Sequence, residues 1–311
     1  MSAKLKVGIV GLGDMGGGMA DRLLAAGYET YGYNRTRAKA AKYEAKGMKV
    51  ADSPRAVAQA ADLVITMVTN NDALQAVFNG PDGILAGPGK GKIVAEMSTT
   101  SPTLVRELAK RVAETGATLL DAPVSGSIQT LREGKLLVMV GGPRHAYDRA
   151  EPAFLAIGPK VRHVGDVGQA KALKVGVNLS LAVQMLAFSE GVLIAEKMGV
   201  DRRVAAETLL NSVIASPMLQ YRAPFILDPP SHAWFTPEMM QKDMQLALDL
   251  GREFAQPLPA TAATQEVLSA TRGMGYTKED FAVLFHALAK MGGIERDPAS
   301  IPDYARESQL A

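Results

Sequence analysis

Residues 6–16 read KVGIVGLGDMG, a short apolar run that passes directly into Gly11-Leu12-Gly13-Asp14-Met15-Gly16. Nothing else in the chain constrains the fold as strongly. A G-x-G-x-x-G turn between a strand and a helix has a mechanism. The first glycine permits the tight turn, the second lets backbone approach a pyrophosphate with no Cβ in the way, and the third lets the helix pack on the strand. The helix that follows offers N–H groups and a positive dipole end to the phosphates. The context is the required one: Met19, Leu23 and Leu24 continue a helical pattern, and a second apolar run follows at 29–33. The chain is therefore expected to open with a dinucleotide-binding domain in which Gly11, Leu12, Gly13, Asp14, Met15 and Gly16 contact the cofactor.

The same alternation continues. Strands are predicted over 6–10, 29–33, 63–68, 93–97, 118–120, 136–140 and 162–164, with helical patterns between them. Ser53-Pro54 and Ser101-Pro102 each place a proline just inside a helix behind a capping serine. Alternating strand and helix predicts an α/β fold: a Rossmann-like, doubly wound, mostly parallel sheet with helices on both faces. Near residue 166 strand signals stop. A long helix from about 169 to 198 is expected to join this domain (1–166) to an all-helical one (167–292), with further helices over 202–212, 217–225, 237–254, 260–269 and 278–291. The tail, 293–311, carries little apolar periodicity and is expected to be loosely ordered or to drape a neighbour.

Composition closes off several function classes. The formal net charge is only +2 with no basic run, which disfavours nucleic acid as a partner. There are no cysteines, and the histidines at 145, 163, 232 and 286 show no metal-ligand spacing, so no metal is expected. The first residues, MSAKLKVG, enter the first strand with no leader pattern. Lys174, Asn178, Gln184 and Glu190 interrupt the most apolar segment, which argues for a core helix over a membrane span. The expectation is a soluble, cytoplasmic protein.

The residue ending the second strand selects the cofactor, since an acid there binds a free ribose 2′-hydroxyl and an arginine nearby accepts a 2′-phosphate. This chain has Asn34-Arg35-Thr36 at that place, with Arg37 and Lys39 beyond and no acid. NADP(H) is expected over NAD(H), with Arg35 meeting the phosphate dianion and Asn34 and Thr36 adding neutral hydrogen bonds.

Candidate chemistry comes from three places. Lys174 and Asn178 are four residues apart on the long helix and so share one face. A lysine in an apolar stretch is costly to desolvate. An ammonium whose pKa is drawn toward neutrality by burial could donate a proton to an oxygen that gains charge as hydride arrives. A snorkelling lysine beside a hydrogen-bonded asparagine is the plainer alternative. Residues 121–127, DAPVSGS, follow a short strand, and Ser125, Gly126 and Ser127 could present hydroxyls and N–H groups to a carboxylate; a simple strand-ending turn would look the same. Lys242-Asp243 lies on a later helix, either at the cofactor or as a surface ion pair. Val68 and Thr69, and Thr99, follow predicted strands and should border the nicotinamide end.

Five motifs in order, GLGDMG (11–16), STTSP (98–102), DAPVSGS (121–127), GQAKALKVGVN (168–178) and KDMQLAL (242–248), make the chain to about Gly292 resemble the β-hydroxyacid dehydrogenase family. The resemblance implies Lys174 and Asn178 as catalytic residues, Ser125 and Gly126 at the substrate carboxylate, Thr99 at the nicotinamide and Lys242 beside the cofactor. It also implies a helical domain that builds a homodimer or homotetramer, and small carboxylates as substrates: β-hydroxy acids and their semialdehydes. Two features stand apart. Ser127 replaces a glycine common in the family, and Asn34-Arg35-Thr36 looks like the NADPH-using branch that holds the glyoxylate/succinic semialdehyde reductases. The related 6-phosphogluconate dehydrogenases carry a histidine where this chain has Val177, and they are longer. Imine reduction on a related architecture, and a non-catalytic NADP-binding scaffold, are the alternative readings.

Overall fold

A computed structural model describes residues 4–294 of the chain. The expectation for the tail therefore falls, from residue 295 onward, outside the described residues. The chain divides into two compact units, one ending at Lys174 and the other starting at Val175. The division lies inside the long helix, whereas the sequence reading put it in the loop before that helix, at 166.

The first unit is built on a sheet with nine strands among the described residues: β1 (Val7–Val10), β2 (Thr30–Tyr33), β3 (Lys49–Val50), β4 (Leu63–Thr66), β5 (Ile93–Glu96), β6 (Thr118–Asp121), β7 (Val124–Ser125), β8 (Leu137–Gly141) and β9 (Lys160–Gly165). The order is β3-β2-β1-β4-β5-β6-β8-β7, with β9 on β8. Strands β1 to β6 pair in parallel; β8 runs antiparallel to β6 and β7. Strands β1, β4 and β5 are buried at every position. This is the cost of covering both faces of a parallel sheet, and it explains their unbroken apolar runs. Side chains alternate between two cores. Ile9, Leu63 and Ile65 pack with Met19, Leu23 and Phe154 on one face, and Val10, Val64 and Val94 with Val57, Phe78 and Leu108 on the other.

The covering helices are α1 (Asp14–Ala25), α2 (Arg37–Glu44), α3 (Pro54–Ala60), α4 (Asn71–Phe78), α5 (Pro102–Glu114), α6 (Ile128–Arg132) and α7 (Arg144–Ile157). The expected caps are in place: Ser53 Oγ accepts from Ala56 N–H and Ser101 Oγ from Leu104 N–H, each ahead of a proline. Strands β3 and β7 have two residues each, too short to leave a periodic trace in sequence. The predicted 63–68 strand stops at Thr66, because Val68 N–H is drawn off to Ser98 Oγ at 2.9 Å.

Helix α8 (Gln169–Lys197) begins in the first unit and runs through the second. By length and composition it could cross a membrane, yet Ala182, Met185, Phe188 and Val192 lie in a core with Met240, Met244, Leu268 and Phe285. Those partners belong to α11 (Pro237–Glu253), α12 (Pro259–Gly273) and α13 (Leu284–Met291), which with α9 (Arg202–Leu210) and α10 (Pro217–Arg222) complete a helical second unit.

Candidate active site

Because β2, β1, β4, β5 and β6 are parallel, their carboxyl ends share one edge of the sheet, and the strand order reverses between β1 and β4. Ligands of open α/β sheets bind outside such a reversal. The loops on that edge are the glycine turn, 67–70, 97–101 and 122–127.

The three glycines of the turn have three different jobs. Gly11 sits at φ +101°, and a Cβ there would lie 2.1 Å from Met67 O. At Gly16 a Cβ would lie 1.9 Å from Gly11 O, so this glycine lets α1 close on the turn. A Cβ on Gly13 would meet nothing within 4 Å. Neither packing nor backbone strain demands glycine there, at φ −72°. The space above it suits a pyrophosphate, and no side chain caps the start of α1. Gly13→Ala should therefore leave the thermal midpoint unchanged and weaken nucleotide binding at least about 10-fold, read by fluorescence titration. Gly16→Ala should instead lower the midpoint, because the helix must move off the turn.

Asn34 serves the same turn. Its Oδ1 accepts from Leu12 N–H at 3.0 Å and its Nδ2 donates to Thr36 O at 2.9 Å. The Leu12 N–H and much of the Asn34 amide are thus engaged in holding the turn against the end of β2, and the Leu12 side chain is buried. Arg35 is exposed and makes no hydrogen bond or ion pair among the described residues. Arg37, two residues on, is paired with Asp52 at 2.6 Å. Thr36, exposed, precedes α2 with no side-chain cap on that helix.

The loops after β4 and β5 are stitched together. Besides the Val68–Ser98 bond, Asn71 Oδ1 accepts from Ser101 N–H at 2.9 Å. Val68 and Thr99 are half-buried, while Thr69 is exposed. Below Thr99 lies Glu96, fully buried, which accepts from Ser98 N–H and from the Thr100 hydroxyl, each at 2.9 Å.

A residue that sequence reasoning missed faces Glu96. Lys171 is 1% exposed, and its ammonium lies 2.6 Å from Glu96 Oε2. Lys174, on which the sequence reading dwelt, is half-buried. The backbone N–H of Lys171 donates to Asp121 Oδ2 at 3.0 Å. Burial pushes the Asp121 carboxyl up to about 6, against the opposing pull of the Lys171 charge and backbone N–H groups. A raised carboxyl favours the folded state below its ordinary value of 3.8, and that contribution is lost as pH climbs through about 6. Stability should thus fall by about 2 kcal/mol from this group between about pH 4 and about pH 7. Asp121→Asn should remove that slope from thermal midpoints measured across the range.

In the loop after β6, Ser125 is half-buried on β7 and Gly126 sits at φ +140°, packed over Thr130. Ser127 caps α6: its Oγ lies 2.9 Å from Thr130 Oγ1 and accepts from Thr130 N–H, and its own N–H donates to Thr130 Oγ1 at 3.1 Å. The hydroxymethyl that sets this chain apart is thus spent on a capping box.

The second unit holds its own polar chain. Asn178, 5% exposed on α8, donates from Nδ2 to Asp243 Oδ2 on α11. The other oxygen of Asp243, fully buried, accepts from Lys242 Nζ at 2.7 Å. Lys242 is therefore in an ion pair, but with a buried carboxylate that also fixes the Asn178 amide. Asp243 was seen in sequence only as Lys242's neighbour; a separation of 65 residues hid its link to Asn178.

Residues 6–165 match the family model of the NAD binding domain of 6-phosphogluconate dehydrogenase, and residues 168–288 that of the NAD-binding region of NADP-dependent 3-hydroxyisobutyrate dehydrogenase. The chain is 32% identical to 2-(hydroxymethyl)glutarate dehydrogenase of Eubacterium barkeri over 295 residues, covering 94% of this chain and 98% of that protein. It is 31% identical to chloroplastic glyoxylate/succinic semialdehyde reductase 2 of Arabidopsis thaliana, covering 91% and 79%. The crystal structure of a 3-hydroxyisobutyrate dehydrogenase from Salmonella typhimurium superposes with a TM-score of 0.83 at 27% identity, covering 91% of this chain and 99% of that one. With the glycine turn, the strand reversal and the two-unit fold, these matches make the chain a pyridine-nucleotide-dependent oxidoreductase of the β-hydroxyacid dehydrogenase family.

Proposed function

We propose that the chain is an NADP(H)-dependent reductase of small semialdehydes, acting in reverse on β-hydroxy carboxylates, with Lys174 as general acid and base. The observation that carries this reading is the Asn178 amide held by the buried Asp243 carboxylate, one helical turn beyond Lys174. With its Nδ2–H directed at Asp243, the Asn178 amide is fixed in orientation on the helix that carries Lys174. The names of the E. barkeri and A. thaliana relatives support small carboxylates as the substrate class.

The nicotinamide, when bound, supplies the hydride. Every other task belongs to the chain. Lys174 gives a proton to the carbonyl oxygen as charge develops on it, and in the oxidative direction neutral Lys174 takes that proton back. Ser125 Oγ and the Gly126 N–H hold the substrate carboxylate, and Ser127 shapes their loop through its cap. Val68, Thr69 and Thr99 border the nicotinamide, and Arg35 with Thr36 receives the 2′-phosphate. Exposed Ile194, Met198, Val204, Val213 and Ile214 on the helices from α8 to the loop after α9 support assembly into a homodimer or homotetramer.

Steady-state rates with NADPH and NADH on glyoxylate, succinic semialdehyde, methylmalonate semialdehyde and tartronate semialdehyde test the reading. At least one should turn over with NADPH favoured. Turnover of cyclic imines with none of these carbonyls would replace it with imine reduction, and NADPH binding without turnover of either would leave a scaffold.

A further inference from the structure

A buried ion pair is a poor way to add stability, because the desolvation of both charges offsets their attraction, and apolar residues of equal volume serve as well. Lys171 and Glu96 therefore need another explanation, and their hydrogen bonds supply one. The Lys171 ammonium has three protons and three acceptors: Glu96 Oε2 at 2.6 Å, Glu96 O at 2.8 Å and Ser98 O at 2.7 Å. The Glu96 carboxylate in turn holds Ser98 N–H and the Thr100 hydroxyl, the two residues that flank Thr99. Asp121, at the end of β6, receives the Lys171 N–H. The first turn of α8 is thus bolted to the carboxyl ends of β5 and β6 through directional bonds that match in one register of the helix only. Lys174 follows three residues later, on the face that i and i+3 share.

We infer that Lys171 and Glu96 are a positioning pair. They set where α8 carries Lys174 relative to the 97–100 loop, and they hold Thr99 in the same network. The inference rests on the proposed role of Lys174. It differs from a packing role because its loss should appear in the chemical step and not in binding.

The test uses the full-length protein and three variants. Glu96→Gln with Lys171→Met removes both charges together, so no buried ion is left alone, and the fold should survive. Its kcat for the preferred semialdehyde should fall about 10- to 100-fold, the usual penalty for a misplaced catalytic group. The KM for semialdehyde and the Kd for NADPH should stay within about threefold of wild type, and the isotope effect with 4-deuterated NADPH should rise. Should the double variant not fold, Glu96→Asp, which keeps both charges but withdraws the carboxylate from Ser98 N–H and the Thr100 hydroxyl, carries the same reading. A kcat within about twofold of wild type, or a loss of kcat matched by equal losses in NADPH affinity and thermal midpoint, overturns the inference. Lys174→Ala is the control. If it abolishes turnover while the pair's variants stay active, only the positioning role falls; if it too stays active, the proposed function falls first.

Discussion

Lys174→Ala should bind NADPH as the wild type does and lose 10²- to 10⁴-fold in kcat, the range that a positioned acid or base contributes. The reasoning starts from charge. As hydride reaches a carbonyl carbon, the oxygen moves toward an alkoxide, and an unassisted alkoxide next to water is a high-energy species. A lysine ammonium removes that penalty by handing over a proton within the step. The described contacts of the nucleotide cradle are made by other residues: Gly11 and Gly16 are fixed by Met67 and by each other, and Arg35 lies just after β2. Binding and chemistry should therefore separate cleanly, with NADPH titration unchanged and turnover lost. Lys174→Arg should not restore activity, since a guanidinium keeps its charge but yields its proton too reluctantly to act as an acid near neutral pH.

Arg35→Asp should weaken NADPH by about 10²-fold and leave NADH within about threefold. A charge-assisted hydrogen bond contributes about 1.5–3 kcal/mol, and Asp adds repulsion toward a phosphate dianion. Solvent exposure trims the effect, yet the specific geometry of a bound phosphate preserves most of it. The neighbouring Arg37 already faces carboxylates, Asp52 at 2.6 Å and Glu44 at 4.0 Å, so its charge is partly offset where Arg35's is not. For NADH the new carboxylate meets a ribose hydroxyl, a contact that acids at this place make well. Equal losses for both cofactors would place Arg35 in the architecture of the turn and not at the 2′-phosphate.

The glycine turn, the parallel sheet and the long helix were legible because each is written in local chemistry: a glycine spacing, buried apolar runs, a 29-residue helical pattern that ends before Gly199. What escaped was set by distance along the chain. Lys171 and Lys174 sit in the same apolar segment, and sequence gave no way to know which one is buried; the answer depends on Glu96, 75 residues away. Leu173, in that same segment, is half exposed, so apolar character did not report burial there either. Ser127 was visible as a departure, but whether its hydroxyl served a ligand or a helix depended on Thr130 folding back upon it. Asn34, read as a phosphate contact, also bonds to Leu12 and Thr36, partners that only the fold brings to it. In each case the partner was a product of tertiary structure.

The most direct measurement compares initial rates of NADPH consumption on a semialdehyde and on the aldehyde of the same length without its carboxylate, at equal concentration. If Ser125 and Gly126 anchor the carboxylate so that Lys174 meets the carbonyl oxygen, the semialdehyde should react at least about 10²-fold faster. Comparable rates for the two would contradict it, whatever the mutants of Lys174 had shown.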